Sequence, residues 1–399
     1  MMEVAMVQAV FMDVLSWNRA RINFLSNFIV ALLKVKTVNL VEIATAFSGR
    51  AKKDSKYRRI KRFFQSFQID AFTTACLITQ LLPIREATWV LVMDRTNWKL
   101  GKETINVLML GIAHQGIAFP ILWMLLSKTG NSNTTERIYL MDRFLSCFGV
   151  EKIDFFTADR EFIGKEWFSY LLEKGIAFRI RIRENMLISN AQGIPVPAKT
   201  LFRDLRVGEY KILEGLPARR LQPGGKRKVR GIDLYVIGLL LPGGEYLILI
   251  TDKHPETALD DYAKRWGIET LFGAFKSRGF RFEDTHMTHP ERISKLIALM
   301  AIAFCWAHNT GEWLNDREPI EIKKHGRKAI SLFRYGLDHL REMLLNINEK
   351  YQEFKDMVEL LRTYLTSDPP LLTHQTNDQR DYQYILNQVE DTTKFPMAV

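Results

Sequence analysis

The sequence predicts an α/β protein with a helical N-terminal region, and three observations lead to this fold class. Residues 1 to about 85 carry apolar residues at helical spacing and no strand-like alternation. Three near-continuous apolar runs of strand length follow, ATWVLVMD, INVLMLGIAH and AFPILWMLLS. Helix-like and strand-like segments then alternate up to about residue 183. This order favours a mixed sheet flanked by helices.

The N-terminal region contains a basic segment. Apolar residues recur at helical spacing at Phe24, Phe28, Leu32 and Leu33, and again at Leu40, Ile43 and Phe47. Between Arg50 and Arg62 there are eight basic residues and one acid. We interpret residues 1–85 as a DNA-binding domain in which Arg58, Arg59 and Arg62 contact phosphates. A solvated face of Lys and Arg explains the segment equally well.

The elements after the three apolar runs follow a regular order. Residues 133–148 read as a helix with Asn133 or Thr134 as its N-cap and Gly149 beyond its end. A strand, KIDFFTAD, a helix, GKEWFSYLLEKG, and a strand, AFRIRIR, come next. The predicted order is three strands, a helix, a strand, a helix and a strand. This is the order of a ribonuclease H-like core.

The remaining sequence predicts an interruption and more helices. Residues 184–250 are rich in Gly, Pro and short alternating runs, which indicates a β-rich insertion. Helices are expected over about 255–277 and 290–314, and the polar tail from Thr366 should be loosely ordered. The predicted domains are 1–85 (DNA-binding), 86–183 and 251–315 (core), 184–250 (insertion), and 316–399 (C-terminal helices and tail).

Composition narrows the function classes. The chain has 399 residues, a net charge of +11 and three scattered cysteines. An odd, scattered set of cysteines argues against a disulfide framework, and the clustered positive charge indicates a nucleic-acid partner. No signal peptide is expected, and the apolar run over residues 296–307 is shorter than the roughly 20 residues that span a bilayer. We therefore expect a cytoplasmic, nucleoid-associated protein that contacts no membrane.

Acidic residues at strand ends are the first candidates for chemistry. Asp94 and Asp159 each end an apolar run, and the carboxyl ends of strands are where α/β sheets usually place their sites. Glu161 is either an orienting residue for this site or an acid at a helix N-terminus.

A polar stripe on the predicted helix 255–277 is the second candidate. Tyr262, Arg265, Glu269 and Lys276 fall within roughly a 60° arc at 100° per residue. The stripe would let Glu269 reach the two aspartates. An amphipathic helix with an i, i+4 ion pair accounts for Arg265 and Glu269 alone.

The spacing Tyr-x2-Arg-x3-Glu-x6-Lys, present as Tyr262, Arg265, Glu269 and Lys276, resembles the signature of the fourth insertion-sequence family of DDE transposases. The segments MDRTNWK, TADREF and YAKRWGIETLFGAFKSRGF are similar to that family's motif regions. The resemblance covers about residues 87–310. It implies a ribonuclease H-like catalytic domain with a β-rich insertion between the second aspartate and the glutamate.

The expected activity is DNA transposition. Asp94, Asp159 and Glu269 would hold two Mg²⁺ or Mn²⁺ ions, since hard oxygen ligands favour these cations. Tyr262, Arg265 and Lys276 would contact double-stranded DNA, both the element's terminal inverted repeats and the target. The resemblance implies cut-and-paste transposition, and we expect a homodimer on DNA. A ribonuclease H-like nuclease or resolvase without strand transfer, and a catalytically silent DNA-binding protein, are the alternatives.

Further candidates lie outside this set. The segment Arg219–Arg230 has six basic residues and no acid, so Arg227, Lys228 and Arg230 are expected to hold DNA; an exposed solubilising loop is the alternative. Trp98 and Trp266 are candidates for base stacking or for core packing. The pairs His286/His289 and Cys305/His308 lack a second pair with zinc spacing. No phosphate-binding loop occurs, which argues against ATP-driven chemistry.

Overall fold

The computed structural model describes residues 2–84, 86–213, 225–324 and 327–367. Most of the tail predicted to be loosely ordered, and residues 219–224 of the second basic segment, lie outside these ranges.

The N-terminal region is helical, as the sequence predicts. Its helices are α1 (Met2–Val14), α2 (Arg19–Val35), α3 (Leu40–Ala46), α4 (Lys53–Ser66) and α5 (Ala71–Gln80). α4 buries Ile60, Phe63 and Phe64 and exposes all its basic residues except the half-buried Lys56. The rings of Phe24 and Phe63 stack with their centroids 3.8 Å apart, which fixes α4 on α2.

A mixed sheet follows the helices. Its first strands are β1 (Trp89–Leu100), β2 (Glu103–His114), β3 (Ile117–Leu125), β4 (Ile153–Ala158) and β5 (Phe178–Ile182). Their order in the sheet is β3-β2-β1-β4-β5, with β1, β4 and β5 parallel and β2 and β3 antiparallel to their neighbours. The predicted α/β class is confirmed.

The helices between these strands are α6 (Thr134–Phe148) and α7 (Lys165–Glu173). α6 begins with a capping box, because Asn133 Oδ1 accepts from Glu136 N and the Glu136 carboxylate accepts from Asn133 N. The sequence predicts both helices, with Asn133 or Thr134 as the N-cap of the first and Gly149 beyond its end; in the structure Asn133 is the N-cap and Gly149 the C-cap.

Short strands occupy the predicted β-rich segment and continue the same sheet. They are β6 (Leu187–Ser189), β7 (Pro195–Pro197), β8 (Tyr210–Ile212), β9 (Arg227–Val229), β10 (Ile232–Leu240) and β11 (Tyr246–Thr251). β11 pairs antiparallel with β5, and the order continues β5-β11-β10-β9-β6-β7 while β8 pairs with β10. The segment therefore extends the sheet away from β1.

The predicted single helix over residues 255–277 is wrong. The structure has α8 (Ala258–Ala263) and α9 (Trp266–Phe275) instead. Between them the N–H groups of Arg265, Gly267 and Ile268 donate to carbonyls three residues back, at 3.0, 3.1 and 3.1 Å. This 3₁₀ pattern tightens the chain, so side chains after it are rotated relative to those of a continuous α-helix. Lys276 follows α9 with a non-helical backbone.

Three helices complete the described fold: α10 (Pro290–Asn315), α11 (Leu332–Leu345) and α12 (Tyr351–Thr366). By length and composition α10 could cross a membrane, and so could α2 and α3 taken together, although they are bent by 103°. In α10, however, 94% of the apolar window is buried inside the protein. Such burial is typical of a core helix. A Cβ on Gly311 would lie 1.9 Å from the carbonyl oxygen of Leu332, so this glycine lets α11 pack directly on α10.

Candidate active site

Two parallel strands place Asp94 and Asp159 side by side. The pairing of β1 with β4 ends at Met93 opposite Ala158, and the two aspartates are the residues that come next in the chain. Asp159 follows β4 directly, as predicted. The prediction that Asp94 ends its strand is wrong, since β1 continues to Leu100 paired with β2. Asp94 instead marks the point where β1 leaves β4.

Arg265 joins Asp94 to Glu269. Its Nη1 lies 3.5 Å from Asp94 Oδ2, and its Nη2 donates to Glu269 Oε1 at 2.7 Å. The Arg265 side chain is buried, whereas that of Glu269 is 40% exposed. The i, i+4 ion pair expected from the sequence is therefore present, and its arginine also faces the strand.

The other two residues of the polar stripe reach the same strands. Tyr262 Oη donates to Asp159 Oδ1 at 3.4 Å. Lys276 Nζ donates to the carbonyl of Asn97 on β1 at 3.2 Å and lies 3.1 Å from Glu283 Oε1. Tyr262, Arg265 and Lys276 thus contact the aspartates or β1, and Glu269 is held beside them by Arg265. No single helical arc carries the four residues.

The carboxylates of Asp159 and Glu161 lie close enough to that of Asp94 to affect its charge. Burial raises the pKa of Asp94 to about 6, and the nearby charges of Glu161 and Asp159 add to the shift. The Arg95 N–H, which donates to Asp94 Oδ1 at 2.7 Å, and the Arg265 guanidinium act against it. Burial likewise raises the pKa of Tyr262 to about 12. A cation between the aspartates would stabilise both carboxylates in their charged form.

Asp94 and Asp159 fit a hard divalent cation better than Glu269 does. Two adjacent carboxylates are the oxygen donors that Mg²⁺ or Mn²⁺ prefer. Within residues 2–84, 86–213, 225–324 and 327–367, no group of three His, Cys, Asp or Glu side chains is placed to hold a metal ion. Glu269 points to Arg265, so it would join the aspartates only after that ion pair opens.

The sequence model of a family described as "Transposase DDE domain" matches residues 85–306, more than half of the chain. The chain belongs to the DDE transposase family. Asp94, Asp159 and Glu269 all lie in the matched span. Domains of this family in general cleave DNA by phosphoryl transfer and use divalent metal ions.

Solved structures add a weaker similarity. The transposase is similar to the piggyBac transposase, solved by cryo-EM as a synaptic complex with hairpin DNA. The identity is 12%, over 96% of this chain and 89% of that chain, with a TM-score of 0.41. A similarity of this size carries no argument about fold or function. No curated protein matches the transposase.

Glu161 lies in the turn after β4. α7 begins only at Lys165, so Glu161 does not stand in the first turn of that helix. Its Oε2 lies 3.4 Å from Arg95 Nη2, and its carbonyl accepts from Arg137 Nη2 at 3.0 Å. Sequence reasoning missed Arg95 and Arg137; the position of Arg95 directly after Asp94 was the one available indication. These contacts hold the turn that carries Asp159 against β1.

The two tryptophans have different surroundings in the transposase. Trp98 is buried and packs on Phe282 with ring centroids 4.4 Å apart, so its core-packing alternative holds and the base-stacking prediction does not. Trp266 is 62% exposed, and its ring lies 5.4 Å from the Arg265 guanidinium. Only Trp266 is placed to meet a base.

The basic residues of the N-terminal region are not equivalent. Arg58 and Arg62 are exposed on α4. Arg59 donates to Asn23 Oδ1 at 2.9 Å and lies 6.0 Å from the centre of the Phe47 ring, so it also supports the packing of α4.

The second basic segment departs from its prediction. Arg227 is 7% exposed and therefore cannot offer its guanidinium to DNA. The segment itself contains no acid, but Lys228 pairs with Asp233 on β10 at 2.6 Å, so an acid outside the segment compensates this lysine. Arg230 is exposed at the β9–β10 turn. At about 4.8 Å per strand, β9 lies roughly 19 Å from β4, so the described residues Arg227, Lys228 and Arg230 are not brought to the aspartates.

Proposed function

We propose that the chain is the transposase of an insertion-sequence element of the fourth family. It would bind the terminal inverted repeats of its element, cut the DNA there and join the ends to a target by cut-and-paste transposition. The observation that carries this proposal is that Tyr262 and Arg265, two residues of the signature, contact Asp159 and Asp94, the two strand aspartates. An unrelated amphipathic helix would have no reason to meet both.

The sheet supports a ribonuclease H-like core. Three antiparallel strands followed by two parallel ones, in the order β3-β2-β1-β4-β5, agree with that fold. The strands β6 to β11 and α8 stand in the chain between Asp159 and Glu269, where the insertion is expected. We propose domains over residues 1–85, 86–183, 184–250, 251–315 and 316–399.

The chain's own residues position the reaction. Asp94 and Asp159 would hold the metal ions, and Glu269 would join them once it leaves Arg265. Two Mg²⁺ or Mn²⁺ ions, when bound, supply activation of water or of a DNA 3′-hydroxyl and neutralise charge at phosphorus. Tyr262 holds the Asp159 carboxylate by its hydroxyl, and Lys276 on the carbonyl of Asn97 would place a cation beside the DNA backbone.

DNA would contact more than one surface. Arg58 and Arg62 on α4 would bind phosphates of the inverted repeat, and the exposed ring of Trp266 would stack on a base next to the reacting bond. We propose a homodimer in which each protomer holds one end of the element. A cytoplasmic, nucleoid-associated location follows from this role.

A nuclease or resolvase without strand transfer is the second candidate, because the same carboxylates cut DNA in either case. A gel assay with end-labelled element DNA, Mg²⁺ and a target plasmid separates the candidates. Joined products support the proposed transposase. Cleavage without joining would support the nuclease, and retardation without cleavage would support a silent DNA-binding protein.

A further inference from the structure

A basic pocket opens at the edge of the sheet next to Asp159. β4 and β5 are parallel, so their carboxyl ends lie at the same edge of the sheet. β11 is antiparallel to β5, so the β10–β11 turn lies at that edge too. The pocket has a volume of about 530 Å³. Its lining residues are Arg160, Arg183, Glu184, Asn185, Lys199 and Glu245; Arg181 is not among them and adjoins the pocket through its hydrogen bond to Glu245.

The carboxylate of Glu245 forms ion pairs with two arginines at this edge. Glu245 Oε1 accepts from Arg181 Nη2 at 2.5 Å and from Arg160 Nη1 at 3.5 Å. The other acid, Glu184, is engaged elsewhere, since its Oε1 accepts from Tyr246 N at 2.8 Å. The side chains of Arg160 and Glu245 are 53% and 51% exposed, and half-exposed ion pairs are weak.

Arg181 has unused hydrogen-bonding capacity. Its Nε is buried and makes no hydrogen bond to any residue that the structure describes. A guanidinium offers two parallel N–H donors to a carboxylate or a phosphate, and here only one of them is used. A ligand with several acceptor oxygens would satisfy Arg181 better than the single Glu245 oxygen does.

The pocket adjoins the candidate active site. Arg160 follows Asp159 in the chain, and the positive charge of Arg181 acts on Tyr262, the tyrosine that donates to Asp159. Arg179, Arg181 and Arg183 alternate along β5 and its end, so they share one face of the strand. Arg179 is paired with Asp261, whereas Arg181 is held only by Glu245 and Arg183 lines the pocket next to Asp159.

We propose that this pocket binds a backbone phosphate of the DNA and that Glu245 is an internal anion that the phosphate displaces. This inference rests on the proposed transposase function. Phosphate carries more acceptor oxygens than a carboxylate and binds the guanidinium fork in the same way. Glu245 can leave, because Gly243 and Gly244 precede it in the turn and its own side chain is half exposed.

The central test is Glu245→Gln, assayed for binding to double-stranded element-end DNA at several salt concentrations. Removing the competing carboxylate should tighten binding about two- to fivefold, the range expected for one half-exposed ion pair. Arg181→Ala should weaken binding and reduce the slope of log K against log salt by about one. In the Arg181→Ala background, Glu245→Gln should gain little, because the closer of the two arginine partners of Glu245 is gone.

A charge-matched control separates the pocket from net charge. Glu173→Gln changes the charge equally at the end of α7, which lies at the opposite edge of the sheet because β5 begins only at Phe178. If Arg181→Ala unfolds, which a circular dichroism melt detects, Arg160→Ala replaces it. The proposal is overturned if Glu245→Gln and Glu173→Gln bind alike, or if the gain of Glu245→Gln persists in the arginine variant.

Cleavage by the wild type identifies which idea has failed. If the wild type cuts element ends while Glu245→Gln binds like Glu173→Gln, only the pocket proposal is lost. If the wild type neither binds nor cuts element ends, the proposed function fails and the pocket proposal fails with it.

Discussion

The guanidinium of Arg265 lies 3.5 Å from the carboxylate of Asp94, so a residue that precedes α9 compensates a buried charge on β1. The same guanidinium also binds Glu269. Because a planar fork can serve two carboxylates at once, Arg265 holds two members of the proposed triad in a defined relation before any metal ion is bound.

Replacing Arg265 by Ala should therefore damage both stability and cleavage. The loss of a buried partner should lower the free energy of unfolding by about 1–3 kcal/mol. Cleavage in saturating Mg²⁺ should fall by about tenfold or more, the usual cost of losing a residue that orients metal ligands. Arg265→Lys should recover little, because an ammonium lacks the planar fork.

Lys264→Ala is the matched control for Arg265, since Lys264 is half exposed and pairs with Asp261 at 3.5 Å. Urea unfolding and cleavage rates measure the two effects separately. Cleavage by Arg265→Ala at the rate of Lys264→Ala would contradict the role given to this arginine.

Gly267 fixes the approach of α9 to the sheet. A Cβ at this position would lie 2.7 Å from the carbonyl carbon and oxygen of Ile117 at the start of β3. Gly267→Ala should push α9 outwards, lower the free energy of unfolding by about 1–3 kcal/mol and slow cleavage, because α9 carries Glu269. Gly243→Ala, where a Cβ would meet nothing within 4 Å, should leave stability nearly unchanged. Equal unfolding midpoints for the two variants would show that the contact at Gly267 does not matter.

The sequence predicts the order of elements well because local patterns determine them. Residues 133–149 contain a complete N-cap and C-cap, and the apolar runs that become β1 and β4 differ clearly from their surroundings. The 3₁₀ step before α9 could not be predicted. Lys264 and Arg265 keep right-handed helical dihedrals, and only their hydrogen-bonding partners change, which depends on how α9 packs on β3.

In the candidate site, too, local patterns predict some features and packing between distant elements decides the others. Spacing selects Asp94, Asp159 and Arg265 because each lies in a recognisable local context. It cannot show that Arg227 is buried or that Trp98 packs on Phe282, because burial depends on strands and helices distant in the sequence. A contact between residues of two different elements leaves no pattern in either local sequence.

The two tryptophans provide a direct comparison of core and surface. Trp98→Ala should lower the free energy of unfolding by about 3–5 kcal/mol, since it empties a buried site against Phe282. Trp266→Ala should leave stability nearly unchanged and reduce the yield of cleaved or joined DNA. Thermal melts and the gel assay test the pair. If both variants are folded and both still cleave DNA as the wild type does, Trp266 has no role at the site.

The exposed arginines of α4 should control the affinity for DNA. Arg58→Ala together with Arg62→Ala should weaken binding to the inverted repeat and reduce the salt slope by about two. Arg59 is left in place because its bond to Asn23 supports the helix. Replacing two exposed lysines outside this surface, Lys174 and Lys355, matches the change in net charge. An equal effect of both double variants would indicate that α4 has no special role.

The proposed DNA cleavage depends most on the three carboxylates. Asp94→Asn, Asp159→Asn and Glu269→Gln each remove one negative charge from the proposed metal site and leave the surface of α4 intact. The measurement is the rate at which end-labelled element DNA is cut in Mg²⁺ by the wild type and by each variant, with DNA binding measured in the same samples. We expect the wild type to cut, and all three variants to bind the ends without cutting them. Cleavage by any variant at a rate near that of the wild type would contradict the triad.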